Sequence, residues 1–243
     1  MAEAGKRHRR PDHVFVLTDR SIGHVMNIRK KLKRLFVAKP SWVGEDGLQT
    51  RQYANYEGYL EHQKSKLTSI NNISKKSQVL KSILKERLPQ IPEVHPGVSA
   101  LCLAARSGAE CEAFIDLGVF AVGIDLNPGS ANRHVLPGDF HAIQFASSSV
   151  DIVYTNSLDH SFDLSRVIGE VVRVLKPQGI FIAEIVLGAD DEGGRAPGDF
   201  EAAWWTKADE VIQRVAGAGL VPRTKIPFTV PWQGVQAVFA KIA

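Results

Sequence analysis

The sequence is short of the features that mark secreted, metal-bound or membrane-embedded proteins. Only two cysteines occur in 243 residues, Cys102 and Cys111, which excludes a disulfide scaffold. Nothing near them has zinc-ligand spacing and the eight histidines are scattered, so no metal site is expected. No apolar run approaches the roughly 20 residues of a membrane span. Residues 1–10 are basic and lack the apolar centre of a signal peptide. Repeats and low-complexity stretches are absent too. What is left is an ordinary globular composition, 44% hydrophobic and 23% charged, expected in a reducing, cytoplasmic compartment.

The charge is unevenly spread. Residues 1–88 carry 19 Lys/Arg against 8 Asp/Glu, a net of +11, whereas residues 89–243 carry 11 against 18, a net of −7. This predicts a basic extension, 1–88, on a mildly acidic domain, 89–243. Over 22–36, Val25, Ile28, Leu32, Leu35 and Phe36 recur at helical spacing, opposite Arg29, Lys30, Lys31, Lys33 and Arg34. Such a helix packs on the body, lies on an anionic membrane surface or binds nucleic-acid phosphates. Further helices are predicted over about 53–66 and 75–88, and Pro89, Pro92 and Pro96 make a stiff connector.

From Gly97 the texture changes. Short apolar runs at 98–103, 120–124, 150–155, 180–186 and 235–242 alternate with helical patterns at 110–117, 164–175 and 208–218. That alternation implies a parallel sheet covered on both faces, with the ligand beyond the carboxyl ends of the strands. After the first run comes Ala104-Ala105-Arg106-Ser107-Gly108, a small-residue loop opening a helix. After the second comes Asp125, 17 residues past Gly108, near the ~20 expected of an acid that accepts ribose hydroxyl protons. Gly138-Asp139-Phe140, then Asn156-Ser157-Leu158-Asp159-His160, and finally Arg173-Val174-Leu175-Lys176-Pro177-Gln178-Gly179 follow.

In this order the segments resemble class I S-adenosylmethionine (SAM)-dependent methyltransferases, in particular the broad group called methyltransferase type 11. The likeness runs from about Val98 to Val186, with a continuation to Ala243, and 173–179 is its most specific part. It implies a Rossmann-like, seven-stranded, mostly parallel sheet with helices on both faces, preceded by the helical extension, its last segment being an antiparallel strand. It implies SAM as cofactor and direct methyl transfer, without metal, to an unidentified acceptor. The loop with Ala104, Arg106 and Gly108 would pass beneath the methionine part. Asp125 would hold the ribose, Leu126 the adenine face, and Asp139 and Phe140 the adenine edge, with Asn156 near the sulfonium and the acceptor. The sequence departs from the family where it has an acid followed by three alternating glycines: Cys102, Ala104, Arg106 and Gly108 stand there. Cys102 cannot supply a carboxylate to the SAM amino group, and Arg106 either pairs with the SAM carboxylate or fills the pocket. That damage motivates a second reading, a non-catalytic binding or scaffold subunit; the basic extension motivates a third, an RNA methyltransferase.

Each site residue also has a plainer role. Asp125 could serve a turn before Asn127-Pro128, Asp139 could cap one, and Glu110 suits a helix N-terminus. His160 has the intrinsic pKa for proton removal near neutrality, or is structural. Trp204 and Trp205 either wall a pocket or pack in the core. Tyr56, Tyr59 and His62 are candidates for an acceptor pocket beneath an N-terminal lid.

Overall fold

A computed structural model describes residues 41–69, 72–130 and 132–242. The helix predicted over 22–36, and the anionic partner expected of it, lie outside the described residues. Two short strands, β1 (Trp42–Glu45) and β2 (Leu48–Arg51), form a hairpin. Its two-residue turn is Asp46-Gly47, both at positive φ (51° and 76°), the geometry whose twist matches paired strands. Helices α1 (Tyr56–Ser69) and α2 (Ile73–Arg87) follow, then β3 (Ser99–Leu103), α3 (Ala109–Asp116), β4 (Phe120–Asp125), β5 (Val135–Pro137) and β6 (Val150–Thr155). The chain continues through α4 (Leu164–Val174), β7 (Leu175–Val186), β8 (Ala203–Trp205), α5 (Ala208–Gly217), β9 (Leu220–Phe228) and β10 (Gly234–Lys241).

Seven strands form the main sheet in the order β5-β4-β3-β6-β7-β10-β9. Only β10 runs against the others, pairing antiparallel with β7 and β9. This is the expected mostly parallel sheet, and 235–242 is its antiparallel strand. β8 pairs instead with β2, making a separate three-stranded sheet with β1. The compact unit begins at Ser41, not at the predicted boundary 88/89. The physical reason is that β2 is paired to β8, while Leu84 and Leu88 of the α2 region are wholly buried beside Ala100, Phe114 and Ile152.

Alternation along the strands sorts side chains to two cores. Leu101, Leu103, Val153, Phe181, Ala183 and Phe239 face α4 and α5, through Val167, Ile168, Val171, Val211 and Val215. Ala100, Cys102, Ile152, Tyr154, Ile180 and Ile182 face the other way, toward Leu84, Ala113 and Phe114. Helix α4 shows why such segments fold as they do. Leu164, Val167, Ile168, Val171 and Val174 make one apolar stripe, and the Asp163 carboxylate caps the helix by accepting the Arg166 N–H at 3.0 Å. The Lys176-Pro177-Gln178-Gly179 turn leaves the sheet as a bulge: Val150 lies opposite Leu175 but Ile152 opposite Ile180, with Gln178 at φ 66°. Lys176 reaches Asp151 (2.8 Å), whose carboxylate also takes the Ser99 N–H and hydroxyl, tying β7 to β6 and β3.

Register places the site. Leu103 is opposite both Ile124 and Thr155, so β3, β4 and β6 end at one level and their following loops meet there.

Candidate active site

The loop after β3 keeps the backbone that glycines would give it. Ala104, Arg106 and Gly108 all have positive φ, 53°, 42° and 89°. That conformation costs a non-glycine residue roughly 1–2 kcal/mol, so the loop is held from outside. Ala105 donates its N–H to the Ile124 carbonyl (3.1 Å) and Arg106 to Asp125 Oδ2 (2.9 Å), while Asn132 donates to the Arg106 carbonyl (3.0 Å). The loop can lie this close to β4 because residue 123 is glycine: a Cβ there would stand 2.8 Å from Ala105 Cβ and 2.9 Å from Cys111 Sγ. Asp125 Oδ1 meanwhile accepts the Asn127 N–H at 2.8 Å. The carboxylate at the end of β4 thus organises two loops and still lines a cleft.

That cleft is bounded by Ala104, Arg106, Asp125, Leu126, Gly138 and Phe140, and by Tyr59, Gln63 and Lys66 of α1 with His160 opposite. It opens into a larger cavity of about 660 Å³ that reaches Glu110, Asn156, Asp159 and Trp232. Of the predicted residues, Ala104, Arg106, Asp125, Leu126, Phe140 and His160 meet around the cleft, and Asn156 lines the adjoining cavity. Gly108 stands behind, as the N-cap of α3 against Val135.

Asp139, expected at the adenine edge, has its carboxylate engaged within the protein. Its carboxylate accepts the Tyr56 hydroxyl at 2.5 Å and the His141 N–H and ring Nδ1–H at 2.9 Å each, and Gly138 lines the cleft in its stead. His141 Nε2 accepts the backbone N–H groups of Phe162 (3.0 Å) and Asp163 (3.2 Å), which puts the ring proton on Nδ1. Burial alone would raise the Asp139 carboxyl, but the hydrogen bonds from His141 and Tyr56 outweigh it and hold it below the usual carboxylate range. Burial and Asp139 push the Tyr56 phenol up. Around this network Tyr53, Tyr56, Tyr59, His141 and Phe162 pack ring to ring at 5.2–6.1 Å, fastening α1 over the site. Tyr56 therefore anchors the lid, while Tyr59 also faces the cleft and donates to the His160 carbonyl (3.0 Å). His62 stacks on Phe200 and hydrogen-bonds Tyr53 (2.9 Å).

Two groups that sequence reading did not assign to the site line the cavity. Lys66 Nζ lies 2.5 Å from His160 Nε2, and His160 Nδ1–H donates to the Phe200 carbonyl at 2.9 Å. Burial lowers both: His160 stays neutral near pH 7, and Lys66, with Arg106 nearby adding repulsion, falls to about 8. No sequence signal joins residues 94 positions apart. The other is Glu110, which sequence reading assigned to the helix N-terminus. It is buried at the start of α3, and Oε1 accepts the Asn156 side-chain N–H at 3.0 Å. Burial raises its carboxyl to about 7. Cys102 is wholly buried on the α2–α3 face, with its thiol toward Cys111 and pushed well up by burial. Trp204 and Trp205 take the core alternative: both are buried, their rings stacked at 5.7 Å, with Trp205 donating to the Val186 carbonyl.

A sheet of this order, with one antiparallel strand and a cleft beyond its parallel carboxyl ends, defines the class I methyltransferase fold. Residues 101–183 match the family described as methyltransferase domain. Among solved structures, the Burkholderia thailandensis 1,6-didemethyltoxoflavin-N1-methyltransferase, with bound 1,6-didemethyltoxoflavin and S-adenosylhomocysteine, is similar at a TM-score of 0.61. It is 15% identical, covering 85% of this chain and 100% of that one. A SAM-dependent methyltransferase from Aquifex aeolicus gives 0.52, at 14% identity, 74% of this chain and 98% of that one. No curated protein matches the chain by sequence. The chain thus has the fold of the class I SAM-dependent methyltransferases, and the family match is carried by residues 101–183.

Proposed function

We propose that this chain transfers a methyl group from SAM to an oxygen, nitrogen or carbon nucleophile that enters through the larger cavity. The observation that carries the reading is the convergence of Asp125, the 104–108 loop and Leu126 on one cleft at the strand ends. The donor set fits the cofactor: a carboxylate for ribose hydroxyls, apolar Leu126 and Phe140 for a planar base, and opposite charges, Arg106 and Glu110, further along. SAM supplies a methyl group on a sulfonium, which is already a strong electrophile, so alignment provides much of the rate. Within that frame, Asp125 orients the ribose and Tyr59 and Gln63 of α1 close the cleft. The Lys66–His160 pair borders both cavities, where the acceptor meets the donor. With Lys66 brought down to about 8, its amine takes a proton from a protic acceptor in mildly alkaline solution. The scaffold reading drew on the missing glycines; left-handed backbone at Ala104 and Arg106 supports binding instead.

Calorimetry and thermal denaturation with SAM and S-adenosylhomocysteine test this. Both ligands should bind and raise the melting temperature. A folded protein that shows neither effect at roughly millimolar ligand sinks the reading.

A further inference from the structure

We infer that Glu110 is the carboxylate that receives the ammonium of the cofactor's methionine moiety, in place of the acid missing at Cys102, and that it gives up a proton to do so. The inference rests on the SAM-binding reading and deepens it. Cys102 cannot serve, because strand alternation turns its side chain into the closed α2–α3 core. In the first turn of α3, Glu110 lines the open cavity instead. Its carboxylate is buried and, among the described residues, forms no ion pair; its side-chain partner is the neutral amide of Asn156 at 3.0 Å. Asn156 is itself fixed, since its Oδ1 accepts the Ser157 hydroxyl at 2.9 Å. Arg106 lines the same cavity and likewise forms no ion pair among the described residues. A carboxylate and a guanidinium that share a cavity without pairing to each other complement a zwitterion, and an α-amino-acid group is one. Arg106 then takes the carboxylate end, which answers the question left open by its place in the loop.

The proton follows from the surroundings of Glu110. Cys102 of β3 and Tyr154 of β6 lie nearby as neutral groups and Glu184 of β7 adds negative charge, while hydrogen bonds from the Glu110 backbone N–H and the Asn156 amide, and then Arg106, work the other way. Across the cavity stand Lys66, Lys76, Asp159 and His160. Burial therefore leaves Glu110 about half protonated near pH 7 without ligand. An incoming ammonium favours the ionised form, so the proton passes to solvent.

The test uses S-adenosylhomocysteine, which carries the amino-acid group, and 5′-methylthioadenosine, which lacks it. Calorimetry of the wild-type protein at pH 7 in phosphate and in Tris gives the protons exchanged. S-adenosylhomocysteine should release about half a proton from Glu110 and 5′-methylthioadenosine none. Glu110→Gln should bind S-adenosylhomocysteine about 10- to 100-fold more weakly at pH 8, lose that release, and bind 5′-methylthioadenosine as before. The ligand's own amine contributes equally to both proteins, so the difference between them reports Glu110. Equal affinity and equal proton exchange in variant and wild type overturn the inference. Equal exchange by the two ligands in the wild type overturns it without any variant. Failure of the wild type to bind either ligand overturns the SAM reading itself.

Discussion

Replacing Glu110 by glutamine should strengthen the ligand-free fold in alkaline solution and leave it nearly unchanged in acid. The side chain is 6% exposed, and burial raises its carboxyl from the ordinary 4.5 to about 7. A group whose native pKa is raised adds stability that is fully present below the unfolded value and lost as pH rises through the native one. The window is therefore about pH 4.5 to 7. At about 1.4 kcal/mol per pH unit, the ionised side chain costs the native state about 3 kcal/mol above it. Glutamine carries no charge to desolvate, and its side-chain oxygen can still accept from Asn156. Urea denaturation of Glu110→Gln and wild type at pH 5 and pH 8.5 measures this. The variant should gain about 2–3 kcal/mol at the higher pH and less than about 1 kcal/mol at the lower. The same gain at both values would refute the reasoning, because it would owe nothing to ionisation. Stability spent on a functional charge is the usual pattern at binding sites.

Asp125→Ala should weaken S-adenosylhomocysteine binding by about 1.5–3 kcal/mol per charged hydrogen bond lost, read by calorimetry. It should also destabilise the ligand-free protein by about 1–3 kcal/mol, since the Arg106 and Asn127 N–H groups lose their acceptor; unchanged stability would contradict that loop-holding role. Ala104→Gly relieves a left-handed residue at φ 53° and should add up to about 1 kcal/mol of stability, the relief being partly offset by the more flexible unfolded chain. A loss of stability in denaturation would mean the loop does not hold this backbone. Lys66 is lowered from 10.5 to about 8, so its buried charge opposes folding increasingly as pH falls through that window. Relative to wild type, Lys66→Met should thus gain stability between pH 10 and pH 8 by about 2–3 kcal/mol, and a difference that stays flat across that range would count against it.

Local pattern made much of the fold legible. The strand predicted at 150–155 is β6, and the stripe on 164–175 is α4, because a repeat of two or of 3.6 residues is written into adjacent positions. β9 escaped that reading: Pro222 and Pro227 argue against a strand, and are tolerated because it lies at the sheet edge. The hairpin around Asp46-Gly47 is not among the elements read from the sequence, since the strand that completes its sheet, β8, comes about 150 residues later.

The site divides in the same way. Asp125 could be placed from its spacing to the loop, since both follow adjacent parallel strands whose lengths are fixed locally. The sequence by itself settles which residues follow the strands, and so which groups reach the cleft's edge. Packing of distant elements decides what each group there is free to do. Asp139 is taken by Tyr56, brought to it by α1, and by His141, whose ring is oriented by the Phe162 and Asp163 N–H groups before α4. Lys66 meets His160 only because α1 lies over the strand ends. Cys102 faces a closed core, whereas Glu110, at the start of α3 on the same side of the sheet, lines the open cavity. Ionisation and hydrogen bonding depend on burial and on neighbours within a few ångströms, and those neighbours come from chain segments that sequence order keeps far apart.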